Sequence, residues 1–153
     1  MIVGVALRII WYSTAKSESF FYAHVHDSAL YHELAQQILS EGLPFSEPFF
    51  VAPMYGVFLA GVYKVFGLDP ASVYIVQIGL SAVTIALTAH LGRRLFGGWG
   101  AMVGGLAAAI YPAAILYDVR LLSVGLGTLF TVGTAVCAHR AWLSGRLSSW
   151  VIA

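Results

Sequence analysis

Histidines and carboxylates cluster in one short stretch of this 153-residue sequence: His24, His26, Asp27, His32 and Glu33. His24 and His26 flank a single residue, so an extended backbone projects both imidazoles to one face. Carboxylate and imidazole together suit several divalent ions, and a positioned carboxylate can also serve as a general base. The spacing follows no strict metal motif. A helix cap, a catalytic base and a metal site formed by Asp27 with His26 therefore all stay open at this point.

A second carboxylate, Asp118, stands alone in the rest of the chain. It is the only Asp or Glu after Asp69, and Arg120 follows it two positions later. Arg120 is a candidate either to bind a phosphate group or to pair with Asp118. Asp27 and Asp118 can contribute to one site only if the elements that carry them bring both to the same side of the protein.

The composition indicates a membrane protein. Hydrophobic residues make up 59% of the chain and charged residues 10%, with a mean hydropathy of +0.83; a soluble domain has roughly 25% charged residues. Residues 71–91, 95–117 and 121–138 contain no Asp, Glu, Lys or Arg. Each is close to the ~20 residues that cross a hydrocarbon core, so we expect three transmembrane helices. With a net charge of +1, the chain offers no basic face for a nucleic-acid partner.

Both ends of the sequence also indicate membrane segments. Residues 1–12 are apolar except for Arg8, and we interpret them as part of a first transmembrane helix; residues 150–153 begin another apolar run. The predicted fold is an all-α, polytopic integral membrane protein in contact with membrane lipids. We expect it to be a single transmembrane region, the N-terminal part of a longer chain.

Residues 13–70 are predicted to form an outer loop with juxtamembrane helices. From residue 27 to residue 41, apolar side chains recur every three or four positions, which predicts an amphipathic helix with Asp27 near its start. Residues 49–66 are apolar and either span the membrane or re-enter it. Re-entry is favoured because it places Arg93 and Arg94 on the cytoplasmic side, opposite the acidic loop.

Several short motifs then occur in a fixed order. They are H-D-S-x-x-Y-x-x-x-A-x-x-I (26–38), A-P-M-Y-G-x-F-L-A (52–60), Q-x-x-L-S-A (77–82), G-R-R-L-F-G (92–97) and A-A-A-I-Y-P (107–112). Through these motifs, from about Arg8 to Phe130, the sequence resembles the N-terminal part of GT-C glycosyltransferases of the family-39 type. That group is related to protein O-mannosyltransferases and lipid A aminoarabinose transferases.

The resemblance implies an enzyme of the bacterial inner membrane that moves a sugar from a polyprenyl-phosphate donor to an acceptor hydroxyl. The acceptor would be a lipid, glycan or protein on the periplasmic face. In such enzymes an acidic residue opens the first outer-loop helix, and Asp27 occupies that position. Asp27 is therefore expected to act as a base or to hold a divalent metal ion with His26. Asp118 is the second catalytic candidate, and His26, Tyr31 and Arg120 are expected to bind substrate.

The sequence departs from the family pattern at one position near the second acid. Val124 stands where many relatives carry Glu or Asp, which leaves Asp118 as the nearest substitute. The alternative function is a non-enzymatic polytopic protein, either a transporter or a structural subunit. The three predicted transmembrane segments contain no charged residue. This argues against a transporter, because the residues that couple transport normally lie within such segments.

Overall fold

The computed structural model describes residues 1–16, 27–42 and 50–145. Within these ranges all regular structure is helical. The helices are α1 (Ile2–Ala15), α2 (Asp27–Glu41), α3 (Pro53–Phe66), α4 (Pro70–Ile110), α5 (Pro112–Tyr117) and α6 (Val124–Ser144). The predicted all-α class is confirmed, and so is the amphipathic helix predicted over residues 27–41, which coincides with α2.

Helix α4 consists of two antiparallel arms. Its direction reverses at Gly97, whose φ of 72° and ψ of −156° suit glycine and few other residues. A side chain on Gly92 would collide with the carbonyl of Gly100, and one on Gly105 would lie 3.0 Å from Cβ of Ala89. Residues before the turn therefore lie directly against residues after it. The absence of side chains at these contacts lets the two backbones approach closely.

The hairpin corrects one predicted segment. Residues 95–117 do not form a single helix, because the chain turns at Gly97 and is interrupted again at Tyr111, which has an extended backbone (φ −62°, ψ 112°). Tyr111 precedes Pro112, and a proline ring disfavours the helical conformation of the residue before it. Residues 71–91 fall within the first arm of α4.

The other predicted boundaries shift by a few residues. Helix α1 continues past residue 12 to Ala15, and α6 begins at Val124 and continues to Ser144 rather than covering 121–138. Helices α2 and α3 lie within the predicted outer loop, whereas residues 150–153 lie outside the described ranges. Among the described helices, α4 is long and apolar enough to cross a membrane. That the chain crosses several times remains a prediction.

The buried core lies where α2, α3, the start of α4 and the connection after α5 meet. Tyr55, Leu59 and Leu121 are among its fully buried side chains. Helix α2 approaches α3 closely at Gly56, where an added Cβ would lie 2.6 Å from Cδ2 of Leu34. Helices α1 and α6 both pack along α4. This packing places α2 beside the connection that carries Asp118.

Candidate functional site

The connection between α5 and α6, residues 118–123, is held by buried side chains and presents one exposed cation. Asp118, Val119 and Leu121 are all buried. Arg120, between the last two, is exposed. Because its neighbours are fixed in the interior, the position of Arg120 on the surface is determined by the packing beneath it.

Asp118 forms a buried ion pair with Arg8 of α1. The Arg8 Nε donates to Asp118 Oδ2 at 2.5 Å, and Arg8 Nη1 donates to the carbonyls of Gly4 at 2.9 Å and Ala109 at 3.0 Å. The two residues are 1% and 3% exposed. Burial raises the pKa of Asp118, while hydrogen bonds from Ser81 and Arg8 lower it. The pair joins α1, α4 and the 118–123 connection. Either charge buried at this depth without its partner would be strongly destabilising.

Gln77 of α4 holds the backbone of the same connection. Its amide nitrogen donates to the carbonyl oxygens of Asp118 and Arg120, each at 2.9 Å. Its amide oxygen accepts a hydrogen bond from the Tyr55 hydroxyl at 2.5 Å. Both polar atoms of the Gln77 side chain are thereby satisfied in the interior, by three hydrogen bonds. Side chains of α3 and α4 therefore hold the backbone around Arg120 in place.

Helix α2 reaches the connection through Tyr31. The Tyr31 hydroxyl donates to Ser123 Oγ at 3.3 Å, and the Tyr31 ring packs edge-to-face on Tyr55, with 4.7 Å between centroids. Asp27 lies one turn before Tyr31, on the same face of α2. It is exposed, and no hydrogen bond or ion pair ties its carboxylate to another described residue.

The structure bears on one of the two alternatives for Arg120, its pairing with Asp118. Pairing of Arg120 with Asp118 is wrong, because the carboxylate of Asp118 points inward to Arg8 while Arg120 points outward. The guanidinium of Arg120 therefore remains available at the surface, and among the described residues it joins no ion pair. Its role in substrate binding stays a prediction.

The comparison with protein families identifies the family of the chain. A family model described as dolichyl-phosphate-mannose-protein mannosyltransferase matches residues 47–153. The chain belongs to this family. It is a GT-C-type glycosyltransferase family, as the motifs predicted, and membership indicates a membrane enzyme of the mannosyltransferase type. No curated protein and no solved structure matches the chain.

The family match covers only part of the candidate site. It includes Gln77, Asp118 and Arg120, but it begins after α2, so Asp27 and Tyr31 precede it. The contacts of Tyr31 with Ser123 and Tyr55 therefore connect the unmatched part of the chain to the mannosyltransferase-family part.

The predicted metal site gains no further ligands. His26 lies outside the described residues, and His24 does too. Within the described part of the chain, no group of three His, Cys, Asp or Glu side chains could hold a metal ion. The residues described around Asp27 therefore do not fit a metal site by themselves, and the divalent ion expected from the resemblance stays a prediction.

Several site residues of this mannosyltransferase-family chain escaped the sequence analysis: Arg8, Tyr55, Gln77 and Ser81. A signal for one of them existed, because Arg8 is the only charge in residues 1–12 and Asp118 is the only acid after Asp69. Two isolated opposite charges in an apolar chain are expected to pair. Gln77 is recognisable in the sequence only as the first residue of the Q-x-x-L-S-A motif. Its role depends on which carbonyls come within reach of its amide group.

A largely apolar cavity of about 260 Å³ opens beside the ion pair, between α4, α5 and α6. The hydroxyls of its three threonines, Thr84, Thr88 and Thr128, are bonded within their own helices. Thr88 donates to the Thr84 carbonyl at 2.8 Å, and Thr128 donates to the Val124 carbonyl at 2.8 Å. The cavity therefore offers largely apolar walls, and the buried pair of Arg8 and Asp118 contributes its charged lining residues.

Proposed function

We propose that this chain belongs to an enzyme that transfers a sugar from a polyprenyl-phosphate donor to a hydroxyl group on the extracytoplasmic side of a bacterial inner membrane. Family membership supplies the reaction class, and the proposal adds the donor, the face and the residues. The observation that carries it is the placement of exposed Arg120 on a rigid connection beside α2, whose first turn holds the exposed carboxylate of Asp27.

Arg120 is proposed to bind the donor phosphate. A lipid phosphate accumulates negative charge as its bond to the sugar breaks, and a fixed cation lowers the energy of that state. A guanidinium group also presents several donors that match phosphate oxygens. The hydrogen bonds from Gln77 to the carbonyls of Asp118 and Arg120 support this role, because they fix the backbone before the donor arrives.

Asp27 is proposed to act as the general base. The acceptor oxygen attacks the anomeric carbon, the bond between that carbon and the phosphate oxygen breaks, and the acceptor proton passes to the Asp27 carboxylate. A base of this kind typically contributes 10²- to 10⁴-fold to a rate. Its exposure and its freedom from described partners support the assignment.

Asp118 is proposed to act as a positioning residue. The sequence predicts it as a second catalytic residue, but Asp118 is 3% exposed and its carboxylate accepts a hydrogen bond from Arg8. A buried carboxylate committed to Arg8 is poorly placed to take a proton from an acceptor. It instead sets where the backbone of the connection, and with it Arg120, is located.

The charge distribution supports the proposed face. Apart from Asp118, all acids precede Pro70, the start of α4, whereas Arg93 and Arg94 lie at the hairpin turn. Basic residues beside membrane segments concentrate on the cytoplasmic side. This supports the proposal that the turn of the hairpin lies on the cytoplasmic side and the 118–123 connection on the opposite side.

The test uses the full-length enzyme in detergent with a radiolabelled polyprenyl-phosphate sugar. Asp27→Asn is expected to lower kcat by 10²- to 10⁴-fold without a change in thermal stability. Glu33→Gln is the matched control, because Glu33 is an exposed acid on the same helix, and it should retain wild-type turnover. Wild-type turnover by Asp27→Asn would refute the base assignment.

A further inference from the structure

A second cleft lies at the hairpin end of the molecule, far from the 118–123 connection. His90 and Arg94 of α4 face His139 and Arg140 of α6 across a cavity of about 300 Å³. Both histidines are half-buried, and both arginines are exposed. We call this the basic cleft. Four side chains that can donate hydrogen bonds to an anion therefore converge on one space.

No carboxylate of residues 70–153 neutralises the basic cleft. The single acid in that range is Asp118, which is paired with Arg8 and bonded to Ser81. Ser81 and Arg94 are separated by about 20 Å along the first arm of α4, at 1.5 Å per residue. This exceeds the screening length of about 8 Å at physiological salt. The counter-charge for Arg94 and Arg140 is therefore not provided by this part of the chain.

The surroundings of the basic cleft are those of a membrane interface. Trp99, just after the hairpin turn, is 76% exposed, and Trp142, two residues beyond Arg140, is 73% exposed. Exposed tryptophans collect at the level of lipid headgroups. The cleft also has apolar walls, formed by Leu91, Val136 and Leu143. A cationic mouth with hydrocarbon walls fits a molecule that has an anionic head and an acyl tail.

We propose that the basic cleft binds the phosphate headgroup of an anionic phospholipid from the cytoplasmic leaflet. Arg94 and Arg140 donate to the phosphate oxygens, His90 and His139 complete the polar contacts, and an acyl chain follows the apolar wall. Basic pockets between membrane helices are characteristic binding places for such headgroups. The proposal requires that the hairpin lie in a bilayer, but it does not depend on the proposed sugar transfer.

The experiment measures phosphatidylglycerol binding to the full-length protein by native mass spectrometry from mixed detergent–lipid micelles. Arg94→Gln and Arg140→Gln are each expected to weaken binding about fivefold, and the double variant about 30-fold. Arg93→Gln is the matched control: it removes the same charge from the adjacent, exposed residue that does not line the cleft. It should change binding less than about twofold. Phosphatidylcholine and inorganic phosphate serve as the other two ligands.

Three results would overturn the proposal. Equal losses in Arg93→Gln and Arg94→Gln would show a general surface attraction instead of a site. Full competition by inorganic phosphate at the lipid concentration would show a free-anion site. Equal retention of phosphatidylcholine and phosphatidylglycerol would remove the role of headgroup charge. Arg94→Lys is the control for misfolding, because it keeps the positive charge. It should bind phosphatidylglycerol within about threefold of wild type. Its thermal transition in lipid-free detergent should be unchanged.

Discussion

The ion pair between Arg8 and Asp118 makes the strongest quantitative prediction for the candidate site. Asp118→Asn neutralises one partner while the Arg8 guanidinium remains 1% exposed. Loss of one member of a buried pair costs about 3–5 kcal/mol, because the other charge is left uncompensated. The asparagine keeps one acceptor oxygen for Arg8 Nε, and Nη1 keeps its two carbonyl partners. We therefore expect a loss near the lower end, about 3 kcal/mol.

The double-mutant cycle separates this pairing from the general effects of substitution. Arg8→Met leaves the Asp118 carboxylate with Ser81 as its remaining side-chain partner, and we expect a cost of about 4 kcal/mol. Arg8→Met combined with Asp118→Asn removes both charges, so no ion is left buried and unpaired. The double variant should be more stable than the sum of the single effects predicts, by about 3 kcal/mol.

The assay is equilibrium unfolding of the full-length protein in mixed micelles titrated with a denaturing detergent, run in parallel with sugar transfer. Arg120→Gln is the control for stability: it removes a neighbouring but exposed cation, and its unfolding free energy should change by less than about 0.5 kcal/mol. Additive single effects, or a fully stable Asp118→Asn, would refute the pairing argument. Loss of transfer in Asp118→Asn at unchanged stability would instead place Asp118 in the chemistry.

Further predictions concern the supports of the site. Tyr55→Phe leaves the Gln77 amide oxygen buried without its donor and should cost about 1–3 kcal/mol in the same unfolding assay; a change below 0.5 kcal/mol would contradict that contact. Gly92→Val places a side chain against the Gly100 carbonyl and should destabilise the hairpin by about 1–3 kcal/mol, which wild-type stability would disprove. Burial lowers the pKa of His32 below 6.5, so the native state binds this proton less tightly than the unfolded state does. The contribution of His32 to the free energy of unfolding is therefore present above pH 6.5 and lost as the pH falls. The wild-type protein should lose this contribution between pH 7.5 and 5.5, and His32→Gln should show a correspondingly smaller loss.

The sequence was sufficient to predict helices whose ends carry local signals. Helix α2 begins at an acidic residue and follows an amphipathic pattern, so its predicted and observed bounds agree. Helix α3 begins at Pro53, in the first helical position, which suits a residue without an N–H group. The sequence predicts the turn too early, at Arg93 and Arg94, whereas the structure has it at Gly97. In an apolar sequence the arginines were the only visible interruption, although an arginine at an exposed helix end does not break the helix.

The contacts of the site were harder to predict because they join residues distant in the sequence. Arg8 and Asp118 are 110 residues apart, and Gln77 reaches carbonyls 41 and 43 residues away. Such pairs follow from how α1, α4 and α5 pack, and packing depends on side-chain shape along whole helices. The sequence could indicate only that two isolated charges needed partners. It could not indicate that Asp118 would form an ion pair with Arg8 instead of with Arg120, two residues away in the sequence.

The geometry of the hairpin makes the two proposed sites independently testable. At 1.5 Å per residue, the first arm of α4 from residue 70 to residue 96 is about 40 Å long, which is close to the thickness of a bilayer with its headgroups. The 118–123 connection lies toward the start of that arm and the basic cleft at its end, so a ligand at one site cannot touch the other. Arg94→Gln should therefore weaken lipid binding while Asp27→Asn leaves it unchanged. Asp27→Asn should lower the rate of transfer 10²- to 10⁴-fold, while Arg94→Gln preserves it in detergent. If Asp27→Asn also weakened phosphatidylglycerol binding, the two sites would have to lie on the same side of the hairpin, and the assignment of opposite membrane faces would be wrong.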